Sequence, residues 1–345
     1  MENPKDFLAR IAMMDSQETP QAQKESAMSL NNRGAAFHMD GDLEKARQQY
    51  QAALEIDPNN ATALNNLGFL IAQGGNFREA VTYYERALQI DPNRSMAYLN
   101  LGNARAALGE MNEGIENLYK AINTDPQNVL AWDNLGKLCL RSGMLEDAED
   151  AWRNALTIAP QNAALCAALG TVLAARQQAP EAIQWLRKAV SLDPYNGDAW
   201  SQLGIVLFIR QDLGSAVDAL RQSMVLQPEN INTRHHLAMA LMAKGDKIEA
   251  VKELERILIL NPEHLQARMD LAVLSISIQD FEAALQKLEA VIQADPHNER
   301  ALFYSAVALY QLKRNEEALK IFTNLATESS GKYAQQARQY LDGNQ

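Results

Sequence analysis

The sequence predicts an all-α solenoid of repeated helix hairpins, and three observations predict it. Proline recurs at Pro58, Pro92, Pro126, Pro160, Pro194, Pro228, Pro262 and Pro296, always 34 residues apart. Alanine keeps the same interval at Ala46, Ala80, Ala148, Ala182, Ala216, Ala250, Ala284 and Ala318, and is missing only where Gly114 stands. A third track is Gly34, Gly68, Gly102, Gly136, Gly170 and Gly204, continued by Ala238, Ala272 and Ala306 and preceded by leucine from Leu67 to Leu271. Self-similarity at this period marks stacked supersecondary units, each of which needs its neighbours to bury its apolar face.

In chain order, residues 1–26 come first, as an extension. Pro4 to Met14 places Phe7, Leu8, Ile11 and Met14 on one face of a short amphipathic helix. Ser16 to Ser26 is polar, carries Pro20 and reads as a linker. The second repeat shows what each unit builds. Ala61 to Gln73 carries Leu64, Leu67, Gly68 and Ile71 at three- and four-residue steps, a helical stripe. Gly74-Gly75-Asn76 breaks it, and Phe77, Ala80, Tyr84, Ala87 and Leu88 form a second stripe. Pro92 then closes the unit, because proline cannot continue a helix interior and pushes the residue before it out of the helical region. The small Gly68 and Ala80 let the two helices approach, with Tyr84 and Leu67 filling the space beside them. Nine such units occupy residues 27–332. Residues 333–345 read as a capping helix and tail, with Gln335, Gln336, Arg338 and Gln339 on the wet side.

The spacing Leu67-Gly68, Ala80, Tyr84, Ala87, Pro92 resembles the tetratricopeptide repeat, as does Trp132, Leu135-Gly136, Ala148, Trp152, Ala155, Pro160. Arg33 and Ser305 replace the leucine in the first and ninth repeats, and Ser330 replaces the last proline, as suits end repeats with one exposed side. The resemblance implies a right-handed superhelix of antiparallel hairpins whose first helices line a concave, peptide-binding groove. It also implies a groove residue just before each Leu-Gly pair: Asn32, Asn66, Asn100 and Asn134, then Ala168, Gln202, His236, Asp270 and Tyr304. A carboxamide both donates and accepts, so a ladder of them suits the backbone of an extended chain. This ladder resembles the one in the repeat domain of O-linked N-acetylglucosamine transferase, without its glycosyltransferase domain. Neighbouring groove places are polar in repeats three and four (Asn103, Lys137, Arg141). From repeat six they are apolar: Ile205, Phe208, Met239, Met242, Met269, Val273, Ile276, Phe303, Val307 and Tyr310. Exposed apolar surface marks binding sites, and methionine adapts its shape to varied partners. Lys137 and Arg141 resemble part of the carboxylate clamp of tetratricopeptide co-chaperones, although Ala35 and Phe69 stand where that clamp has asparagines.

Composition sets the remaining expectations. The 345 residues are 47% hydrophobic, enough for a packed core. Lys+Arg 32 against Asp+Glu 43 gives a net charge of −11, so the cationic footprint of a nucleic-acid binder is lacking. Two cysteines make no disulfide framework and suggest a reducing compartment; Cys139 and Cys166 fall on packing tracks. The start MENPKDFLARIAMMDSQETP lacks a basic stretch followed by an apolar one, and no apolar run is long enough to span a bilayer. A cytoplasmic protein is expected. His235 and His236 lie about 100° apart on a helix, poor geometry for sharing a metal. Glu146, Asp147, Glu149 and Asp150 read as a solvated helix face. The expected protein is a scaffold or adaptor for extended or helical peptide segments, with no catalysis, metal or cofactor. The alternatives are a chaperone for secretion or assembly clients and a regulatory subunit of a separately encoded enzyme. Docking of residues 3–14 in a neighbour's groove would make it a homo-oligomer.

Overall fold

The computed structural model of the chain describes residues 19–342, in which all regular structure is helical. Nineteen helices are described: α1 Pro20–Met39, α2 Leu43–Ile56, α3 Ala61–Gln73, α4 Phe77–Ile90, α5 Ser95–Ala107, α6 Met111–Thr124, α7 Val129–Arg141, α8 Leu145–Ile158, α9 Ala163–Ala175, α10 Ala179–Leu192, α11 Gly197–Ile209, α12 Leu213–Leu226, α13 Ile231–Lys244, α14 Lys247–Leu260, α15 Leu265–Ser277, α16 Phe281–Ala294, α17 Glu299–Gln311, α18 Asn315–Glu328 and α19 Lys332–Asp342. They form two compact units, one ending at Arg176 and one starting at Gln177. The first stacks four hairpins, α1/α2 to α7/α8, and ends with α9. The second begins with α10, stacks α11/α12 to α17/α18 and ends with α19.

One sequence expectation is corrected at the N-terminal end. Residues from Pro20 onward are helix, not linker. The Thr19 side chain accepts from the Ala22 N–H and Pro20 occupies the first turn of α1. There a missing N–H costs nothing and the fixed φ is already helical. The short helix expected over Pro4–Met14, and any docking it performs, lies outside the described residues.

The turns between hairpins explain why the helices start where they do. Asp57 Oδ1 accepts from the Asn59 N–H at 3.1 Å, and Asn60 Oδ1 accepts from the Ala63 N–H at 3.0 Å, capping α3. Asn128, Asn162, Asn196, Asn230 and Asn298 cap α7, α9, α11, α13 and α17 in the same way. Such a cap contributes about 1 kcal/mol. Four of the turns are also clasped by the side chain six residues after the proline. Trp132 Nε1 donates to the Pro126 carbonyl at 3.0 Å and Trp200 Nε1 to the Pro194 carbonyl at 2.9 Å. Arg234 and Arg268, in the same slot one and two hairpins after Trp200, donate to the carbonyls of Pro228 and Pro262.

Within a hairpin, small residues set the approach. A Cβ added to Gly34 would sit 2.6 Å from the Tyr50 ring, one on Gly68 2.9 Å from Tyr84, and one on Gly136 2.6 Å from Trp152. The break in the alanine track has a local reason. Gly102 and Gly114 face each other, and a Cβ on either would lie 2.9 Å from the other's carbonyl oxygen. Cys139 and Cys166 are buried, and burial, aided by the charge of Asp147, pushes the Cys139 thiol up to about 11.

The acidic run on α8 is not a wholly solvated face. Glu149 is buried and ion-paired with Arg153 at 2.8 Å and with Arg176, which also reaches Glu146 at 3.1 Å. A carboxylate on the face that meets the following helix is retained because two guanidinium groups compensate it.

Candidate functional site

Within each unit the first helices of successive hairpins touch one another: α1 with α3, α3 with α5 and α5 with α7, and likewise α11 with α13 and α15 with α17. Among the described residues no second helix comes as near to the next second helix. The first helices therefore line the inner face of each unit, and every expected site residue lies on one of them.

The structure places the asparagine ladder partly between hairpins. Asn66 Nδ2 donates to Asn31 Oδ1 at 3.0 Å, and Asn100 Nδ2 donates to Asn65 Oδ1 at 3.0 Å. Asn100 is buried, Asn66 and Asn134 are half-buried, and Asn32 is exposed. Each bonded amide thus ties one hairpin to the one before it. The same two slots recur in the second unit with charged groups. His235 Nε2 lies 2.8 Å from Asp270 Oδ2, and Asp270 also accepts from Gln266 Nε2 and Arg300 Nη2, each at 2.9 Å. Burial raises the Asp270 carboxyl, but these donors outweigh it and hold the group below the usual carboxylate range. His236 beside it is held below the usual imidazole range by burial and by neighbouring His235.

Of the polar groove places, Asn103, Lys137 and Arg141 are exposed. Lys137 Nζ is held by Asp133 Oδ2 at 2.7 Å, one turn back on α7, and Asp133 also accepts from Trp152 Nε1 at 3.0 Å. Arg141 makes no ion pair among the described residues. The apolar places divide. Met269 and Phe303 are core residues, buried and not groove-lining. They occupy the slot one residue before the ladder slot, the slot that faces the next hairpin. Phe208, Met239, Met242, Ile276 and Tyr310 are half-buried, as are Ile205, Val273 and Val307. Val273 and Ile276 pack on the cluster of Met269, Ala272 and Leu288. Tyr310 lies 6.2 Å, ring to ring, from Tyr340 of α19, so the C-terminal helix covers part of it.

A feature the sequence reading passed over lies between α3 and α5. Phe69, 43% exposed, borders a pocket of about 210 Å3 lined by Ala72, Gln73, Phe77, Tyr84, Asn100, Asn103 and Ala104. The His38 ring sits 5.6 Å from Phe69, and His38 Nε2 is 2.8 Å from Gln73 Oε1. The available signal was the residue two past each leucine, which is Phe69, Asn103 and Lys137 in successive repeats. Among the described residues, no group of three or more His, Cys, Asp and Glu is arranged to hold a metal ion, and no helix is long and apolar enough to cross a membrane.

Helix hairpins stacked with small-residue and aromatic slots every 34 residues define a tetratricopeptide repeat protein. The chain belongs to the family described as Cilia and flagella-associated protein 70 C-terminal domain, whose model matches residues 1–235, and tetratricopeptide repeat models match residues 236–298 and 278–339. No curated protein matches. Among solved structures it is similar to pilF of Pseudomonas aeruginosa, at 19% identity over 60% of this chain and 94% of that one, with a TM-score of 0.55. It is also similar to the Cut9–Hcn1 hetero-tetramer of the APC/C, at 18% identity over 77% of this chain and 52% of that one, with a TM-score of 0.54. A third is YrrB, a tetratricopeptide repeat protein with an unusual peptide-binding site, at 22% identity over 53% of this chain and 95% of that one, with a TM-score of 0.47. At these identities the likeness is one of fold.

Proposed function

We propose that this chain is a non-catalytic scaffold in which residues 27–332 act as nine repeats and the first-helix faces hold extended or helical segments of a partner protein. The observation that carries the reading is Phe69. A large aromatic side chain stays 43% exposed on the inner face of the first unit, beside a pocket rimmed by carboxamides. Its neighbours in that slot, Asn103 and Lys137, are exposed too. Amides and an aromatic surface together serve peptide recognition, because the amides pair with backbone groups while the ring takes an apolar side chain. The half-buried Phe208, Met239 and Met242 support a chaperone role for the second unit, since methionine adapts to varied apolar clients. Two buried cysteines with no disulfide between them fit a cytoplasmic site of action.

Cross-linking of the full chain in its native host, followed by mass spectrometry, tests this. Cross-links to partners are expected to concentrate on residues of α3, α5, α7, α11 and α13. If they fall on the second helices instead, the first-helix faces are not the binding surface.

A further inference from the structure

The pocket beside Phe69 is built for a particular kind of side chain. Phe69, Phe77 and Tyr84 provide aromatic walls, and Ala72 and Ala104 add a methyl floor. An apolar cavity of about 150 Å3 accepts benzene, so about 210 Å3 has room for a phenyl or isobutyl group. The wall is held in place before any ligand arrives. His38 of the preceding hairpin lies against Phe69 and bonds Gln73, so the two rim groups are braced from α1. Asn100 spends one amide proton on Asn65, and its carbonyl has no donor among the described residues. It can therefore hold the hairpins together and still accept from a peptide N–H above the pocket.

Charge adds a second, independent constraint on the occupant. In a chain of net charge −11, the first helices of this unit carry Lys24, Arg33, Lys137 and Arg141, with Arg105 paired to Glu85 and Glu110, against Glu25 on α1 and, from α3 onward, one acid, Asp133. That acid is occupied by Lys137 and Trp152. The other acids of the unit sit on second helices and turns, such as Glu113, Glu116 and Glu146. An anionic ligand is thus drawn to the first-helix face and repelled from the opposite one.

We propose that the Phe69 pocket takes one large apolar side chain of an acidic, extended peptide, whose carboxylates lie toward Lys137 and Arg141 two hairpins further on. This rests on the peptide-binding reading above and gives it a sequence class: a Phe, Leu or Met flanked by Asp or Glu.

The test is selection from a displayed library of random twelve-residue peptides on the full-length chain, with affinities of enriched peptides measured on variants of unchanged helicity. Two variants address the pocket. Phe69→Ala removes the wall, and Ala72→Met fills the space while deleting no group. Lys137→Ala/Arg141→Ala addresses charge. Enriched peptides are expected to contain one large apolar residue among acidic ones. They should lose at least about tenfold in affinity on Phe69→Ala and on Ala72→Met, and bind more weakly to the doubly neutralised variant, with a steep salt dependence. Peptides that bind the first helices but are indifferent to both pocket variants would overturn the pocket while leaving the scaffold reading intact. Basic peptides, or apolar ones indifferent to salt, would overturn the charge assignment. Enrichment of no peptide would remove the scaffold reading itself, and the pocket proposal with it.

Discussion

The two units fill the same slots of the same hairpin with different chemistry. In the first, hairpins are tied by neutral amides, Asn66 to Asn31 and Asn100 to Asn65. In the second, a neutral hydroxyl pair, Ser201 with Thr233, is joined by a buried carboxylate, Asp270, bridging His235 and Arg300. The first pairs glycine with a large ring, Gly34 with Tyr50 and Gly136 with Trp152. The second moves to alanine at Ala238, Ala272 and Ala306, with Leu254, Leu288 and Phe322 buried on the second helices. The left-handed residue of the turn inside each hairpin is glycine in the first unit, at Gly41, Gly75, Gly109 and Gly143. In the second unit only Gly245 keeps that choice, and Gln177, Gln211, Gln279 and Lys313 adopt φ of 62° to 65°. A repeat therefore fixes slot volume and backbone path far more tightly than polarity. The first unit ties these hairpins with neutral amides and turns on glycine, and the second brings in a charged tie and strained turns.

The largest difference should appear when the ties are cut. Asp270→Ala strips a buried acceptor from three donors and leaves Arg300 uncompensated. It is expected to cost about 3 kcal/mol, near the lower end for a broken buried pair because His235 and Arg300 keep partial access to water. Asn100→Ala removes one neutral amide bond and should cost about 1 kcal/mol. Urea unfolding of both variants measures this. Equal costs would mean that the charged tie is no stronger than the amide.

Next in size is the packing between glycine and ring. Gly136→Ala places a methyl 2.6 Å from the Trp152 indole, an overpacking expected to cost about 1–3 kcal/mol. Trp152→Leu imitates the second unit, where Ala272 packs opposite Leu288. In a double-mutant cycle the combined variant should be less destabilised than the sum of the two, because the added methyl then meets a smaller side chain. Strict additivity would show that the two slots do not choose their residues together.

Much of this architecture was legible in the sequence, and the reason is repetition. Proline, alanine and glycine positions report backbone constraints, and their recurrence in phase leaves one arrangement of helices. The site was less legible, because a periodic slot says where a Cα sits and not what its side chain touches. Asn66 and Asn100 lie where a groove ladder was expected, yet each spends an amide proton on the preceding hairpin. Met269 and Phe303 look like groove residues by type, but their slot turns toward the next hairpin and buries them. Glu149 sits in an acidic run that reads as solvated, and only the return of Arg176 from the following helix shows otherwise. Phe69 was visible as an odd residue among polar ones. That it stays exposed, braced by His38, follows from contacts 31 residues apart in sequence, Phe69 to His38, that no local pattern encodes.

Mild acid should separate the units further. The folded state holds His236 below its unfolded value of about 6.5, so the unfolded chain takes up the proton first. Stability contributed by neutral His236 is therefore full above that value and falls as pH drops through it. Asp270, lowered in the fold, contributes stability above its unfolded value of about 3.9 that is lost only in stronger acid. Amide exchange, corrected for intrinsic rates, should show α13 and α15 losing protection between pH 7 and 5.5 while α3 and α5 do not. His236→Asn should flatten that response; an unchanged response would assign it to another group.

The smallest expected effect concerns the turns, and it has opposite signs in the two units. A non-glycine residue in the left-handed region is strained by about 1–2 kcal/mol, because its Cβ crowds the following carbonyl. Gln211→Gly relieves that strain but gives the unfolded chain more freedom, which takes back part of the gain. A net stabilisation of about 0.5–1 kcal/mol is expected at Gln211, and likewise at Gln279. The mirror substitution, Gly75→Gln, imposes the strain on the first unit and should cost about 1 kcal/mol, although no neighbouring atom lies within 4 Å of an added Cβ. That emptiness makes the pair of variants informative, since backbone conformation alone can act there. If Gln211→Gly and Gly75→Gln shift the unfolding midpoint in the same direction, the turn residues differ for some reason other than φ, and the contrast between a relaxed first unit and a strained second one fails at this position.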